Sequence, residues 1–473
     1  MDRWKVLKTS SLMVLIISLV IPAYLTISPA AAQSVRQGAA DNAVASFNLP
    51  RVRVQITKQQ MAQALAAPMP ALRVRDARGA PGRAPGLSQT LGVQPQNPDG
   101  GPSEYVPACR PGRSGLVDGH WEPGCAPGGG PPFGNFGPPG PLPYYKPSGS
   151  IELSTASCTY TFFDGDAFTG PANPGCPPYA RYELKPSDLI ELYPWRTNAK
   201  IFFKNVAYDP TGGWFVCSGK VISTADSGNG SLVLTAGHCV NSGGRQINAD
   251  EFVEGTWSSH VMVCPAYKDG FTPWGATYPT FEGCWQGQQL FTLLGWFLKS
   301  NLRRDVGMIV TRFGPGSSEG TERIAHVTGA MGIGWNLNRI QAYNIQGYPQ
   351  AAPFNGQRKI YCKSSRFRDD LRLDKFFPDL GPTTLSAGCD MTGGSSGGGW
   401  VIDYVMGTSI FNRNPFILFY IGPDVWRVGG IVNSVTSYRW IGPFEPDALQ
   451  GPYFGTSVRN LWNQARVVPV LPP

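Results

Sequence analysis

The sequence predicts an all-β protein, a barrel or sandwich with one C-terminal helix. Three observations carry that expectation. From about Ile151 onward, short runs rich in β-branched and aromatic residues recur between turn signals. Their number over this length suits a closed or two-layered sheet. Long amphipathic helical patterns are rare; the exception is 457–465, where Val458, Leu461 and Trp462 share one face. In chain order, the expected strands are 201–203, 214–218, 231–235, 306–311, 340–345, 399–402 and 428–435.

Composition bounds the rest. Of 473 residues, 42% are hydrophobic and 15% charged, so a core is possible and a highly charged disordered chain is disfavoured. The net charge of +8 and pI near 8.9 are mildly basic, but no Lys/Arg block marks an arm, so no nucleic-acid partner is expected. Glycine and proline supply 33 of the 72 residues in 79–150, far above ordinary usage. Glycine shows no three-residue period, which excludes collagen. Residues 33–150 therefore read as a largely disordered pro-segment or linker, with a wall- or protein-binding role as the alternative. Ala, Gln and Met within 55–72 could form a short helix.

Arg3, Lys5 and Lys8 precede an apolar run over 12–25, followed by Ala30-Ala31-Ala32. That order is a signal peptide over 1–32, and it implies a secreted chain, extracellular or periplasmic. The run is shorter than the roughly 20 residues a span needs, and Pro22 interrupts it. No later stretch is apolar enough, so no membrane span is expected after cleavage. Export favours disulfides among the ten cysteines. Nearest-neighbour pairing gives Cys109–Cys125, Cys158–Cys176, Cys217–Cys239, Cys264–Cys284 and Cys362–Cys389, with other connectivities open. The second of these would close a loop in a junction over 151–184. Without C-x-x-C and with four histidines, no metal and no cofactor are expected.

Three segments carry chemistry. Ser231 to Val240 reads SLVLTAGHCV, an apolar strand running into His238. Arg304 to Val310 reads RDVGMIV, with Asp305 opening another. Cys389 to Trp400 reads CDMTGGSSGGGW, with Ser396 among glycines. Histidine, aspartate and serine in such positions suit acyl transfer: serine attacks, histidine takes its proton, aspartate fixes the tautomer. The backbone N–H groups of Gly394 and Ser396 would form the oxyanion hole, since glycine permits the tight turn that aims them. Asp250, Asp269, Asp369, Asp370, Asp374 and Asp379 also lie between the histidine and the serine, but only Asp305 heads an apolar strand. Chain order excludes an α/β-hydrolase, because no histidine follows Ser396. A subtilisin would need its aspartate before its histidine, and a cysteine peptidase an unpaired thiol.

TAGHC, RDVGMI and GGSSGG resemble the signatures of chymotrypsin-fold, trypsin-like serine peptidases, in the right order. More particularly, the sequence resembles the bacterial branch related to secreted glutamyl endopeptidases, through Tyr193-Pro194-Trp195, Pro265-Ala266-Tyr267 and Gly347-Tyr348-Pro349. The resemblance covers roughly 185–470. It implies two antiparallel β-barrels with the three residues in the cleft between them, and a Cys217–Cys239 bridge tying down the histidine loop. It also implies a monomeric secreted endopeptidase acting on proteins or peptides. The rival is a catalytically silent binding module on the same fold.

This chain departs from the pattern at two points. Ser395 stands where an aspartate usually precedes the nucleophile, and Gly307 stands where the family prefers alanine. For the specificity pocket, Asp390 lies at the offset at which trypsin-type enzymes hold Lys or Arg. Val432 is assigned to the place of the histidine that glutamyl enzymes use. Basic, acidic and apolar or broad preferences all stay open on these residues.

Overall fold

The computed structural model describes residues 42–472, apart from 53, 55, 74–102, 107, 114, 118–119, 123, 127–160, 163–166, 170–176, 178, 184–192, 226–227, 249–250, 271, 273–282, 315–321, 371–381, 403–429 and 442–446. The expected signal peptide, the tract 127–150 and the Cys158–Cys176 pair lie outside the described residues.

The elements that position the site are, in chain order, β1 (Val44–Asn48), α1 (Lys58–Gln63), β2 (Leu65–Ala66), β3 (Ala71–Arg73), β4 (Glu104–Val106), β5 (Tyr179–Glu183), β6 (Asn198–Lys204), β7 (Trp214–Val221) and β8 (Leu232–Thr235). Then come α2 (Gly237–Val240), β9 (Ser259–Pro265), β10 (Trp285–Leu293), α3 (Leu294–Lys299), β11 (Gly307–Thr311), β12 (Gly332–Trp335), β13 (Ala342–Gly347) and β14 (Ile360–Asp369). The last are β15 (Leu385–Gly388), β16 (Gly399–Ile402), β17 (Ile431–Val435), β18 (Arg439–Ile441), β19 (Ala448–Gly451) and α4 (Thr456–Ala465). The all-β expectation holds, and the C-terminal helix stands where its apolar face placed it.

The first half is a closed barrel. Its strands run β10-β9-β6-β7-β8-β11, and β11 pairs back onto β10, which leaves no free edge. Ile201, Phe203, Cys217, Val233, Val263, Leu290 and Ile309 fill the interior. Alternation would leave the opposite face of β6 in water, yet Phe202 is buried too. The chain's own N-terminal region covers it: Ile56, Met61 and Ala64 pack on Phe202, Trp214, Val216 and Met262. Helix α1 holds this cover in place through a reciprocal cap. Thr57 Oγ1 accepts the Gln60 N–H at 3.1 Å, and Gln60 Oε1 accepts the Thr57 N–H at 2.8 Å. Each such buried apolar side chain contributes about 1.5–3 kcal/mol.

The second half is a sheet of eleven strands, built on the path β4-β12-β17-β16-β13-β14-β5, with β15 on β14 and β19 on β15. That path does not close into a ring among the described residues. Tyr343, Ile345, Ile360, Leu385, Trp400 and Leu449 form its core. A third cluster, with Met308, Val310, Met331, Ile333, Val401, Val432, Leu461 and Trp462, joins the two halves to α4.

Short strands from 33–150 and 151–184 pair with strands of the later chain. Strand β1 pairs antiparallel with β10, β4 with β12, and β5 with β14. These are additions to sheet edges, held by main-chain bonds that demand little from side chains. Composition therefore does not announce them. Four bridges are formed among the described residues: Cys109–Cys125, Cys217–Cys239, Cys264–Cys284 and Cys362–Cys389. None of the described helices is long and apolar enough to cross a membrane.

Candidate active site

Strand β8 delivers the chain into α2, a single turn that carries His238. Two glycines allow neighbouring groups to close on that turn. A Cβ on Gly237 would stand 2.9 Å from Asp305 Oδ1, and one on Gly307 would stand 2.7 Å from the Ala236 carbonyl oxygen. The departure from alanine at 307 thus has a steric cause.

Asp305, just before β11, is fully buried and saturated with donors. Its Oδ1 accepts the His238 N–H at 2.7 Å, and its Oδ2 lies 2.8 Å from His238 Nδ1. The Ser437 hydroxyl donates to Oδ2 at 2.5 Å. A buried carboxylate needs such compensation. It also settles the imidazole tautomer, because Nδ1 must carry the hydrogen that faces Oδ2, leaving Nε2 as the acceptor. The Tyr208 hydroxyl donates to the His238 carbonyl at 2.7 Å and holds the turn from behind. Burial pushes that phenol far above its usual range, so it remains a donor.

Ser396 sits in the loop between β15 and β16. Ser218 grips this loop from β7: its N–H donates to the Ser396 carbonyl at 2.7 Å and its hydroxyl to the Gly394 carbonyl at 2.8 Å. Both carbonyls are thereby turned to one side. The N–H groups of Gly394 and Ser396 donate to no acceptor among the described residues. Gly394 has φ +97° and Gly397 φ +79°, conformations that glycine adopts without penalty. Gly397 also presses on the histidine strand: a Cβ there would meet Thr235 Oγ1 at 2.1 Å and the Ala236 nitrogen at 2.7 Å. Ser395 donates its hydroxyl to the Thr392 carbonyl at 2.7 Å, so this position braces the loop.

His238 and Asp305 are in direct contact, and the Ser396 carbonyl oxygen lies 3.7 Å from Cys239 Sγ, next to His238 in the chain. Exposures are 1% for His238 and 0% for Asp305 and Ser396, and neither His238 Nε2 nor Ser396 Oγ has a hydrogen-bond partner among the described residues. The rival aspartates serve elsewhere. Asp369 pairs with Arg339 and Arg366, Asp269 with Arg358, and Asp370 accepts from Tyr438 and Trp440, while 250, 374 and 379 lie outside the described residues.

Asp390 is engaged by a partner that sequence order could not suggest. Arg181, on β5, donates to its Oδ2 and stacks over Phe354. Burial raises the Asp390 carboxyl above its ordinary value, against the pull of Arg181. Val432 is not brought to this group. It points into the apolar cluster with Met308, Val310 and Val401, while the residues of that segment nearest the site are Thr436, whose carbonyl accepts the Gly397 N–H, and Ser437. Nothing in the sequence singles out Ser437, Tyr208 or Arg181; each is an ordinary polar residue until the fold places it.

No protein-family model and no curated protein matches the chain. Among solved structures, it is similar to the protease Anisep from Arthrobacter nicotinovorans, at 28% identity over 58% of this chain and 96% of that one, with a TM-score of 0.42. It is likewise similar to AL20, a thermostable serine protease from an extremophilic microorganism, at 29% identity over 58% of this chain and 98% of that one, also with a TM-score of 0.42.

Proposed function

We propose that the chain is a secreted serine endopeptidase that cleaves peptide bonds through an acyl-enzyme. The observation that carries this reading is the Asp305 carboxylate, buried beneath His238 and bound to both its N–H and its Nδ1. In the proposed cycle, Ser396 Oγ attacks the scissile carbonyl and His238 Nε2 takes its proton. Asp305 stabilises the imidazolium so formed and does not itself accept the proton. The oxyanion is held by the N–H groups of Gly394 and Ser396, each worth on the order of 10²–10³ in rate. His238 then protonates the leaving amine; water attacks the acyl carbon as the second nucleophile, its proton passing to the same nitrogen, and Ser396 Oγ leaves that carbon, taking the proton back from His238. A fluorophosphonate probe is expected to label the secreted, processed protein at Ser396, and Ser396→Ala to abolish the label. Absence of label from processed wild-type protein would overturn the reading in favour of a binding module.

For specificity, an apolar or broad preference is the better supported reading. Arg181 already pairs with Asp390 Oδ2, which lowers the charge left for a substrate Lys or Arg although Oδ1 has no hydrogen-bond partner among the described residues, and the next residue, Met391, is buried in an apolar cluster. Cleavage of a mixed peptide library is expected to favour apolar residues before the scissile bond, and Asp390→Ser to leave that profile unchanged. A Lys/Arg preference in the wild type that disappears in the variant would place Asp390 in the pocket instead.

A further inference from the structure

Resting on that reading, we propose that residues 65–73 form an inhibitory strap, laid by the chain across its own active site. Its two ends are anchored on opposite halves of the molecule. At the first, β2 pairs parallel with β7, and the Ala67 N–H donates to the Val216 carbonyl at 3.0 Å, one residue before Cys217. At the second, β3 pairs parallel with β18, and the Arg439 N–H donates to the Pro70 carbonyl at 3.2 Å, two residues past Ser437. Between the anchors lie Pro68 and Met69, and three peptide units span at most about 11 Å. The crossing is therefore short.

Each contact along the crossing belongs to the rim of the site. The Ala66 methyl is 3.1 Å from where a Gly393 Cβ would stand, next to Gly394. Met69 packs on the cluster that contains Met391 and Cys389, beside Asp390. Leu72 packs against Trp296, Leu302, Tyr438 and Trp440, and the last two of these are held by Asp370. His238 and Ser396 are 1% and 0% exposed, and a strap held between these anchors would add to the barrier that a polymer substrate must pass to reach them. Pro68 and Pro70 suit a strap that stays in place uncut. Neither has an N–H to donate, and the Ala67–Pro68 and Met69–Pro70 bonds are tertiary amides whose nitrogens carry a ring.

The strap differs from a passive spacer in what its loss should do. Met69→Asp and Leu72→Asp each set a carboxylate on an apolar contact, and Ala67→Pro deletes the N–H that holds Val216. Met69 and Leu72 are only partly buried, and the Ala67 change, although Ala67 is buried with the barrel's core cluster, adds no charge there. Hydrolysis of a fluorogenic peptide by the full chain is expected to rise at least tenfold in kcat/KM in each variant, and Ser396→Ala in the same background to abolish it. Should an aspartate variant not fold, Ala67→Pro, which introduces no charge, decides. Ser396-dependent hydrolysis equal to wild type in the folded variants would overturn the strap and leave the peptidase reading standing. No Ser396-dependent hydrolysis in any of them would overturn the peptidase reading, and the strap with it.

Discussion

Replacing Asp305 with asparagine is expected to lower kcat by about 10⁴-fold with little change in KM. The two carboxylate oxygens now accept three hydrogens, from the His238 N–H, from Nδ1 and from Ser437. Asparagine has a single acceptor oxygen. If that oxygen keeps the His238 N–H, the amide NH₂ faces Nδ1 and donates to it, which drives the ring hydrogen to Nε2. That nitrogen then has no lone pair for the Ser396 proton. The shape is nearly conserved, so the melting temperature should fall far less than the activity would suggest. Steady-state kinetics on a peptide substrate, with thermal melts of both proteins, provide the measurement. A loss smaller than tenfold in a folded variant would remove Asp305 from the proposed role.

Gly394→Ala is expected to cost on the order of 10²–10³ in kcat, the loss of one oxyanion donor. At φ +97° an L residue is strained, and its Cβ would stand 2.7 Å from the Tyr348 carbonyl oxygen and 2.8 Å from the Gln350 nitrogen. Both are backbone atoms and cannot swing aside as a side chain would. The loop must shift, which turns the 394 N–H away from its aim. Gly270→Ala supplies the control: φ is +84° there too, but a Cβ would meet nothing within 4 Å, and Gly270 contributes no group to the proposed hole. The control should lose a little stability and no activity. Equal kcat in both variants would show that the hole is not where we place it.

Much of this was legible before any coordinates. Strands carried by dense β-branched and aromatic runs, such as those around Phe202, Val233 and Ile309, announce themselves through composition alone. So does α4, whose apolar residues recur at helical spacing. The His238 and Ser396 segments were legible for a different reason. A histidine in a one-turn loop behind an apolar strand, and a serine among glycines, are local requirements, written in adjacent residues.

What stayed hidden depends on contacts between residues far apart in the chain. Asp390 looked like a free counter-ion until Arg181, 209 residues earlier, proved to sit on it. Val432 was assigned to the pocket by counting along a strand, but side chains alternate, and register decides which positions reach the site; here Ser437 does so, and Val432 packs inward.

The all-β class, the C-terminal helix and the short segments that carry histidine, aspartate and serine are each set by residues adjacent in the chain, and so were readable from it. Contacts between distant residues decided that β1, β2 and β3, from the segment before the Pro/Gly-rich tract, pair with β10, β7 and β18. Edge pairing is made by backbone N–H and carbonyl groups, which every residue but proline carries in full, so no pattern of side chains could have revealed it.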